Sequence, residues 1–406
     1  MTANIVVSAN QSVEISEGAK LDCNQKDVTV DAIEVYINHG IDDVEPTNPP
    51  LIHNWTSFVI DGATTVEIYN SDFGDALNWV QNSLDILNSP NYEIVGCNFE
   101  YIGTDIAVYI DLTDRNGSSE GIITDCIVDC YNANGATGIS VNHFGANQVL
   151  DIENCVIKTY GTALEFNNLQ NAGILEENSK VRVFGNQIGG GSSANFAETG
   201  IDVYDAVQKS LLIRNNVIRD VKIGIKINNN PAESSAPYPL IYNNAIFNIA
   251  DDGIGIYAYF WDDTDVRDIK TRIRNNVIWQ ELVGAENTVG IYLFNSNEDA
   301  SMNDIDVENN IIGNLDIGIY LENEIDDWNA TNTAIFNNAF KGNTDNVGGE
   351  AWMTDNDNIV HGDNSEWVTL VDEDPTSSSW NFHIFMDCTS SESSGHFHQF
   401  AKNWFA

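Results

Sequence analysis

Residues Leu211–Ile227 read LLIRNNVIRDVKIGIKI: two short apolar strands, Leu211–Ile213 and Ile223–Ile227, flank an Asn pair, Asn215 and Asn216. Gly224 stands just inside the second strand. The same order of residue types returns at Ile241–Phe247, Ile273–Ile278, Val307–Ile312 and Ile335–Phe340. It survives in weaker form at Ile94–Phe99, Ile123–Val128, Ile152–Ile157 and Val183–Ile188. Self-similarity at a fixed period is the signature of a stacked-repeat architecture.

Taking the second residue of each pair as an anchor gives Ser71, Cys97, Cys126, Cys155, Asn186, Asn216, Asn244, Asn276, Asn310 and Asn338. The gaps are 26, 29, 29, 31, 30, 28, 32, 34 and 28 residues. A rigid coil carrying loops of unequal length gives that spread. A second register follows at Ile106, Ile139, Leu164, Ile201, Ile225, Ile254, Ile291 and Ile319, with Gly before six of the eight (Gly138, Gly200, Gly224, Gly253, Gly290, Gly318). The apolar runs alternate with period two and are too short for helices. The expected fold is all-β, a parallel β-solenoid of about ten coils.

This coil grammar resembles the right-handed parallel β-helix family, which includes pectate-lyase-like and phage tailspike-like proteins. The resemblance covers roughly residues 60 to 345. It implies a right-handed winding, contact with polysaccharide and, among its virion members, three-fold assembly. Two local likenesses accompany it: Asp72–Gly74 matches the Asp-Phe-Gly opening of tailspike-type helices, without its Gly- and Asp-rich continuation. In Glu366–Cys388, Asp374–Pro375 and Asn381–His383 resemble the strand, turn and strand that close many surface β-helix proteins.

In a parallel stack, equivalent residues lie about 4.8 Å apart. Identical Asn side chains can then bond up and down the column while their backbone takes the left-handed conformation that Asn tolerates. Cys97, Cys126 and Cys155 replace Asn on three successive coils and read as buried thiols packed like small apolar groups. They lack the paired spacing of a zinc site. Cys23, Cys130 and Cys388 are scattered, and no metal site is expected.

The chain carries 61 acidic and 17 basic residues, a formal charge of −44. Nucleic acid and anionic membrane surfaces are excluded as partners, because both need a Lys/Arg footprint. Such acidity suits a particle in salty water, and its carboxylates leave Ca²⁺ as the one cofactor to consider. No run of twenty apolar residues is present, and the first residues, MTANIVVSANQSVEIS, have no basic and apolar leader pattern. The expected setting is therefore a virion surface rather than a secreted or cell-surface one.

Three regions are expected. Residues 1–60 form an N-terminal cap or attachment region, in which Pro46, Pro49 and Pro50 mark a loop. Residues 61–345 form the solenoid, and 346–406 a C-terminal cap with an aromatic tail. Phe397, Phe400 and Trp404 fall at i, i+3 and i+7, a face that plugs the last coil or docks on a neighbouring subunit.

Two loops interrupt the coils: Pro231–Pro239, and Tyr257–Asp265, which reads YAYFWDDTD. Aromatic faces beside carboxylates suit a sugar, whose C–H face stacks on rings while acids take its hydroxyls. Tyr257, Tyr259 and Trp261 are the carbohydrate-binding candidates, with Tyr292 and Tyr320 in the same outward register on later coils. The bland alternative is a loop folded onto the solenoid. Glycosidase chemistry needs two carboxyls at a set separation, and the candidates are Asp251, Asp252, Asp262 and Asp263. The polygalacturonase motif set occurs here only as fragments in the wrong order: Asp251–Asp252, Arg272–Arg274, Asn343–Asp345 and His361–Gly362. The pectate-lyase pattern of Ca²⁺ with a basic residue beside it finds no acidic cluster near Arg214, Arg272 or Arg274. The leading expectation is a tail fibre, tailspike or capsid decoration contacting host glycans. A polysaccharide lyase or glycoside hydrolase, and a cell-surface adhesin, are the alternatives.

Overall fold

The computed structural model describes residues 5–7, 11–16, 19–37, 49–74, 83–100, 105–112, 119–130, 135–142, 148–167, 180–190, 196–204, 210–229, 239–260, 271–280, 286–295, 305–323, 334–336, 338–349, 359–361, 368–372 and 382–386. Every regular element among them is a strand. They wind as a right-handed parallel β-solenoid.

A regular winding supplies three strands. Gln148–Glu153 joins a twelve-stranded sheet, Val156–Lys158 a short ladder and Thr162–Asn167 a long ladder. Each pairs in parallel with its counterpart one winding on, as Ile152 with Val183, Ile157 with Ile188 and Leu164 with Ile201. The short and long ladders merge into one 22-stranded sheet, because Val217–Asn229 and Ala245–Phe260 run through both.

Among the described residues the twelve-stranded sheet takes one strand from each winding, so the coil count differs slightly from the ten expected. The difference is at the start. Ser12–Ile15 and Glu34–Ile37 pair in parallel and lead into Thr65–Tyr69, while Lys20–Val30 pairs with Leu51–Asp61. Residues 1–60 thus carry rungs of the same ladders. Pro50 sits in the anchor column itself: its carbonyl accepts from Asp72 N at 2.9 Å, as Ser71 O accepts from Asn98 N. An anchor serves the ladder through its carbonyl, so a missing N–H is tolerated there. After residue 345, Ile359–His361 still pairs with Ala339–Lys341, and Val368–Asp372 forms an antiparallel pair with Phe382–Met386.

The anchors form a buried spine, none more than 1% exposed. From Asn186 to Asn338 each Oδ1 accepts the backbone N–H of the preceding anchor, and from Asn216 onward its Nδ2 as well; for Asn216 both donors, on Asn186, are at 3.0 Å. Each Nδ2 also reaches a carbonyl of the twelve-stranded sheet, as Asn186 does Ile152 O at 3.0 Å. The three thiols occupy the same column and point at the same carbonyl register. Cys97 Sγ lies 3.5 Å from Ile68 O, Cys126 Sγ 3.5 Å from Ile94 O and Cys155 Sγ 3.7 Å from Ile123 O. The hydrogen bond with the Cys126 thiol of the preceding winding, together with burial, holds Cys155 well above the ordinary cysteine range, as expected of packed, unreactive groups.

Two expectations need correction. The left-handed backbone belongs to the residue before the anchor: Asn154, Asn215, Asn243, Asn275 and Asn309 have φ of 54° to 57°, and Gly96 and Gly185 fill the same place at 65° and 71°. Turning and bonding are thus divided between the two members of the pair. The second register also slips by one strand period at two coils. Val108, not Ile106, pairs with Ile139, and Ile256, not Ile254, pairs with Ile225. Gly255 consequently replaces Gly253 in the column Gly200, Gly224, Gly255, Gly290, Gly318. A shift of two residues keeps the same strand face, so GIGI at Gly253–Ile256 cannot reveal it. An irregularity between Val221 and Ile223 adds the extra residues.

Stacked like residues fill the interior. Ile94, Ile123, Ile152, Val183, Ile213, Ile241, Ile273 and Val307 form one column, each at most 1% exposed. Burying such a side chain is worth about 1.5–3 kcal/mol, so the stacked columns themselves stabilise coils this regular.

Candidate functional site

The outward face of the long ladder changes character along the axis. Ser140, Glu165, Asp202 and Lys226 occupy one column on successive windings, and Tyr257, Tyr292 and Tyr320 continue it. The neighbouring column runs Asn142, Asn167, then Tyr204, Asn228, Tyr259, Phe294 and Glu322. The first part is polar and internally bonded: Ser140 Oγ donates to Glu165 at 3.0 Å and Lys226 Nζ to Asp202 at 2.8 Å. Asn142 Nδ2 donates to Tyr109 Oη at 2.7 Å, and Tyr109 Oη to Asp111 at 2.9 Å. Burial, with Asp111 beside it, pushes the Tyr109 hydroxyl up to about 12.

The second part is aromatic. Tyr257 and Tyr320 each lie 5.2 Å, centroid to centroid, from Tyr292, and Tyr259 stacks on Phe294 at 5.2 Å with 12° between the planes. Parallel in-register pairing produces this, since residues of one column stand one rung apart. The rings are half-buried, one face packed along the ladder and the remainder at the surface. Beside them Ile223, Ile254, Val289 and Ile317 form a half-buried aliphatic column. Tyr292 donates its hydroxyl to Glu322. Burial, and for Tyr292 that carboxylate, raise the hydroxyl pKa of Tyr257 and Tyr292, so both stay neutral donors at physiological pH.

Of the carbohydrate-binding candidates, the structure brings together Tyr257, Tyr259, Tyr292 and Tyr320; Trp261 lies outside the described residues. Phe294 belongs to the strip as well. The register that singled out Tyr292 had already fixed it, because i+2 on a strand shares the face of i. Asp251 and Asp252 are exposed residues within the strand Ala245–Phe260, at the stretch between its two ladders. Asp252 has φ 55°, its N–H donates to Glu286 O at 2.9 Å, and its Oδ1 accepts Asn287 Nδ2 at 2.8 Å. Asp251 Oδ1 accepts Glu286 N at 3.3 Å. These carboxylates tie one winding to the next. Asp262, Asp263, Phe397, Phe400, Trp404 and Cys388 lie outside the described residues.

Among the described residues no three His, Cys, Asp or Glu side chains converge as a metal site, and no helix is long and apolar enough to cross a membrane. Comparisons with family models, curated proteins and solved structures give no match to this chain.

Proposed function

We propose that the protein is a surface-displayed recognition protein, such as a virion fibre or decoration, that holds a linear polysaccharide along the aromatic strip. The observation that supports this is the run of Tyr257, Tyr292 and Tyr320 at 5.2 Å intervals with Tyr259 stacked on Phe294 beside it. Rings repeated at rung height offer successive sugars equivalent C–H stacking platforms. Glu322 next to the rings, and Asp202 with Lys226 at the polar end of the same face, supply hydroxyl partners. Recognition is favoured over cleavage because Asp251 and Asp252, the carboxyl candidates among the described residues, are engaged as acceptors from Glu286 and Asn287 of the next winding. Affinity electrophoresis through gels cast with neutral and acidic polysaccharides tests the reading. Retardation by at least one polysaccharide, without new reducing ends or unsaturated sugars, supports it. Unretarded migration through every gel overturns binding, and released sugar ends transfer the reading to a lyase or hydrolase.

A further inference from the structure

The outward face of the twelve-stranded sheet is sorted by charge. Its earlier rungs present Glu34, Glu67, Glu93, Glu120, Asp151 and Glu153 at half-buried or exposed positions, with no Lys or Arg on Glu34–Ile37, Thr65–Tyr69, Asn91–Val95, Ser119–Thr124 or Gln148–Glu153. The next four rungs, Lys180–Phe184, Ser210–Arg214, Leu240–Tyr242 and Thr271–Arg274, contain Lys180, Arg182, Arg214, Arg272 and Arg274 and no acid at all. Four of the seven arginines of a chain with formal charge −44 are thus gathered on one patch.

Local pairing holds the patch in shape. Arg182 binds Asp151 across the boundary, and Arg272 and Arg274 reach Asp306 of the following rung at 3.3 and 2.6 Å. Arg214 is held otherwise, its guanidinium 5.1 Å above the Phe184 ring and its Nη1 donating to Tyr242 Oη at 3.0 Å. Leu212 and Leu240 lie half-buried beside it.

We propose that this face is an isologous contact with a second copy of the chain. Acid followed by base along one axis is self-complementary under a two-fold perpendicular to that axis. With the two-fold between the rungs of Asp151 and Arg182 and running along the strands, each column faces itself, so that Asp151 meets the partner copy's Arg182 and Glu67 its Arg272. A side-by-side parallel arrangement would set like charge on like. The eight rungs from Thr65–Tyr69 to Thr271–Arg274, at about 4.8 Å each and about 16 Å wide, give a footprint of roughly 600 Å² per copy. The total of about 1,200 Å² is at the lower limit for a specific interface, so the dimer is weak and reversible. Net charge sets its salt dependence. At ~10 mM salt, where the screening length is about 30 Å, the two acidic bodies repel; at ~150 mM it is about 8 Å, and contact pairs outlast the long-range repulsion.

Sedimentation velocity on the full chain at ~10 and ~150 mM NaCl and ~100 µM protein reads this out. The expected result is a dimer at the higher salt and mostly monomer at the lower. Two variants, Arg272→Glu and Glu67→Lys, are each expected to be monomeric with unchanged circular dichroism. Their equimolar mixture is expected to recover a heterodimer, since each then opposes the other's sign at both ends. A monomer under all conditions, a trimer, or a dimer indifferent to the charge reversals overturns the proposal. Polysaccharide binding, which uses the long ladder, should persist in both variants.

Discussion

Asn244 and Asn276 stand on successive windings, and Nδ2 of the first donates to Oδ1 of the second at 3.0 Å. Asn244 uses all of its side-chain amide: Oδ1 accepts N and Nδ2 of Asn216 at 3.1 and 3.0 Å, and its second amide proton goes to Ile213 O at 3.0 Å. Asn244→Ala strips partners from buried groups on both sides, and each such orphan costs about 1–3 kcal/mol. The expected loss is about 4 kcal/mol, measured by guanidinium unfolding. A loss within ~1 kcal/mol would mean that water enters the spine and replaces the amide.

The step from thiol to amide gives the opposite sign. Cys155 N already donates to Asn186 Oδ1 at 2.9 Å, so the geometry of an Asn rung is in place there. Cys155→Asn should extend the ladder by one amide and raise stability by about 1 kcal/mol. Cys97→Asn is the control, because Cys126 above it offers no Oδ1. Equal effects at the two positions would remove the side-chain ladder as the cause.

Asp220 is 4% exposed and has φ 55° at the second corner of its coil. Burial raises its pKa; the bonds from Asn248 and Arg219 pull it back only in part. A carboxyl raised by folding binds more protons folded than unfolded, so stability falls as pH rises through the window above the ordinary Asp value. Asp85, raised by burial, acts in the same direction. Asp220→Asn should therefore melt higher than wild type at pH 7 and match it near pH 3, with Asn248 still bonded to the new amide oxygen. A variant less stable at pH 7 would show that the Arg219 ion pair outweighs the burial of charge.

The column Gly224, Gly255, Gly290, Gly318 brings backbones closer than any side chain permits. A Cβ on Gly290 would lie 2.4 Å from Gly318 O and 2.6 Å from the Ile312 side chain. Gly290→Ala should cost about 3 kcal/mol or more, since backbone rather than a flexible side chain must move. Gly135→Ala, with nothing within 4 Å but φ at 84°, isolates the cost of backbone strain and should be about 1 kcal/mol. Thermal melts of the two variants separate the effects, and equal shifts would count against the close-packed column.

Much of this was legible in the sequence, because a solenoid repeats its instructions. The Asn anchors stand out from the recurring Asn pair and its period, since a side chain that bonds to its own copy must recur once per coil. The signal failed where the physics is degenerate. A period-two strand cannot distinguish Ile254 from Ile256, and an Asn pair does not say which member turns the chain. The first rungs do not stand out in the sequence, because Pro50 performs the anchor's carbonyl role without resembling Asn. The charge-sorted face is hidden for another reason: Arg182 and Arg214 come onto adjacent rungs, and Arg272 two rungs further on, only after the chain winds.

The aromatic strip separates ring from hydroxyl at Tyr292, whose Oη donates to Glu322 while its ring lies 5.2 Å from both Tyr257 and Tyr320. If stacking holds the polysaccharide, Tyr292→Phe should retain binding within about threefold. Tyr292→Ala removes the central platform, and a ring contact worth ~1.4 kcal/mol corresponds to a tenfold loss. Phe294→Ala should weaken binding by a similar factor through the adjacent column, where Tyr259 loses its stacked neighbour. Retardation coefficients for the three variants, compared with unchanged melting temperatures, decide the matter. A Tyr292→Phe variant as impaired as Tyr292→Ala would place the recognition in the hydroxyl and Glu322 instead of the rings.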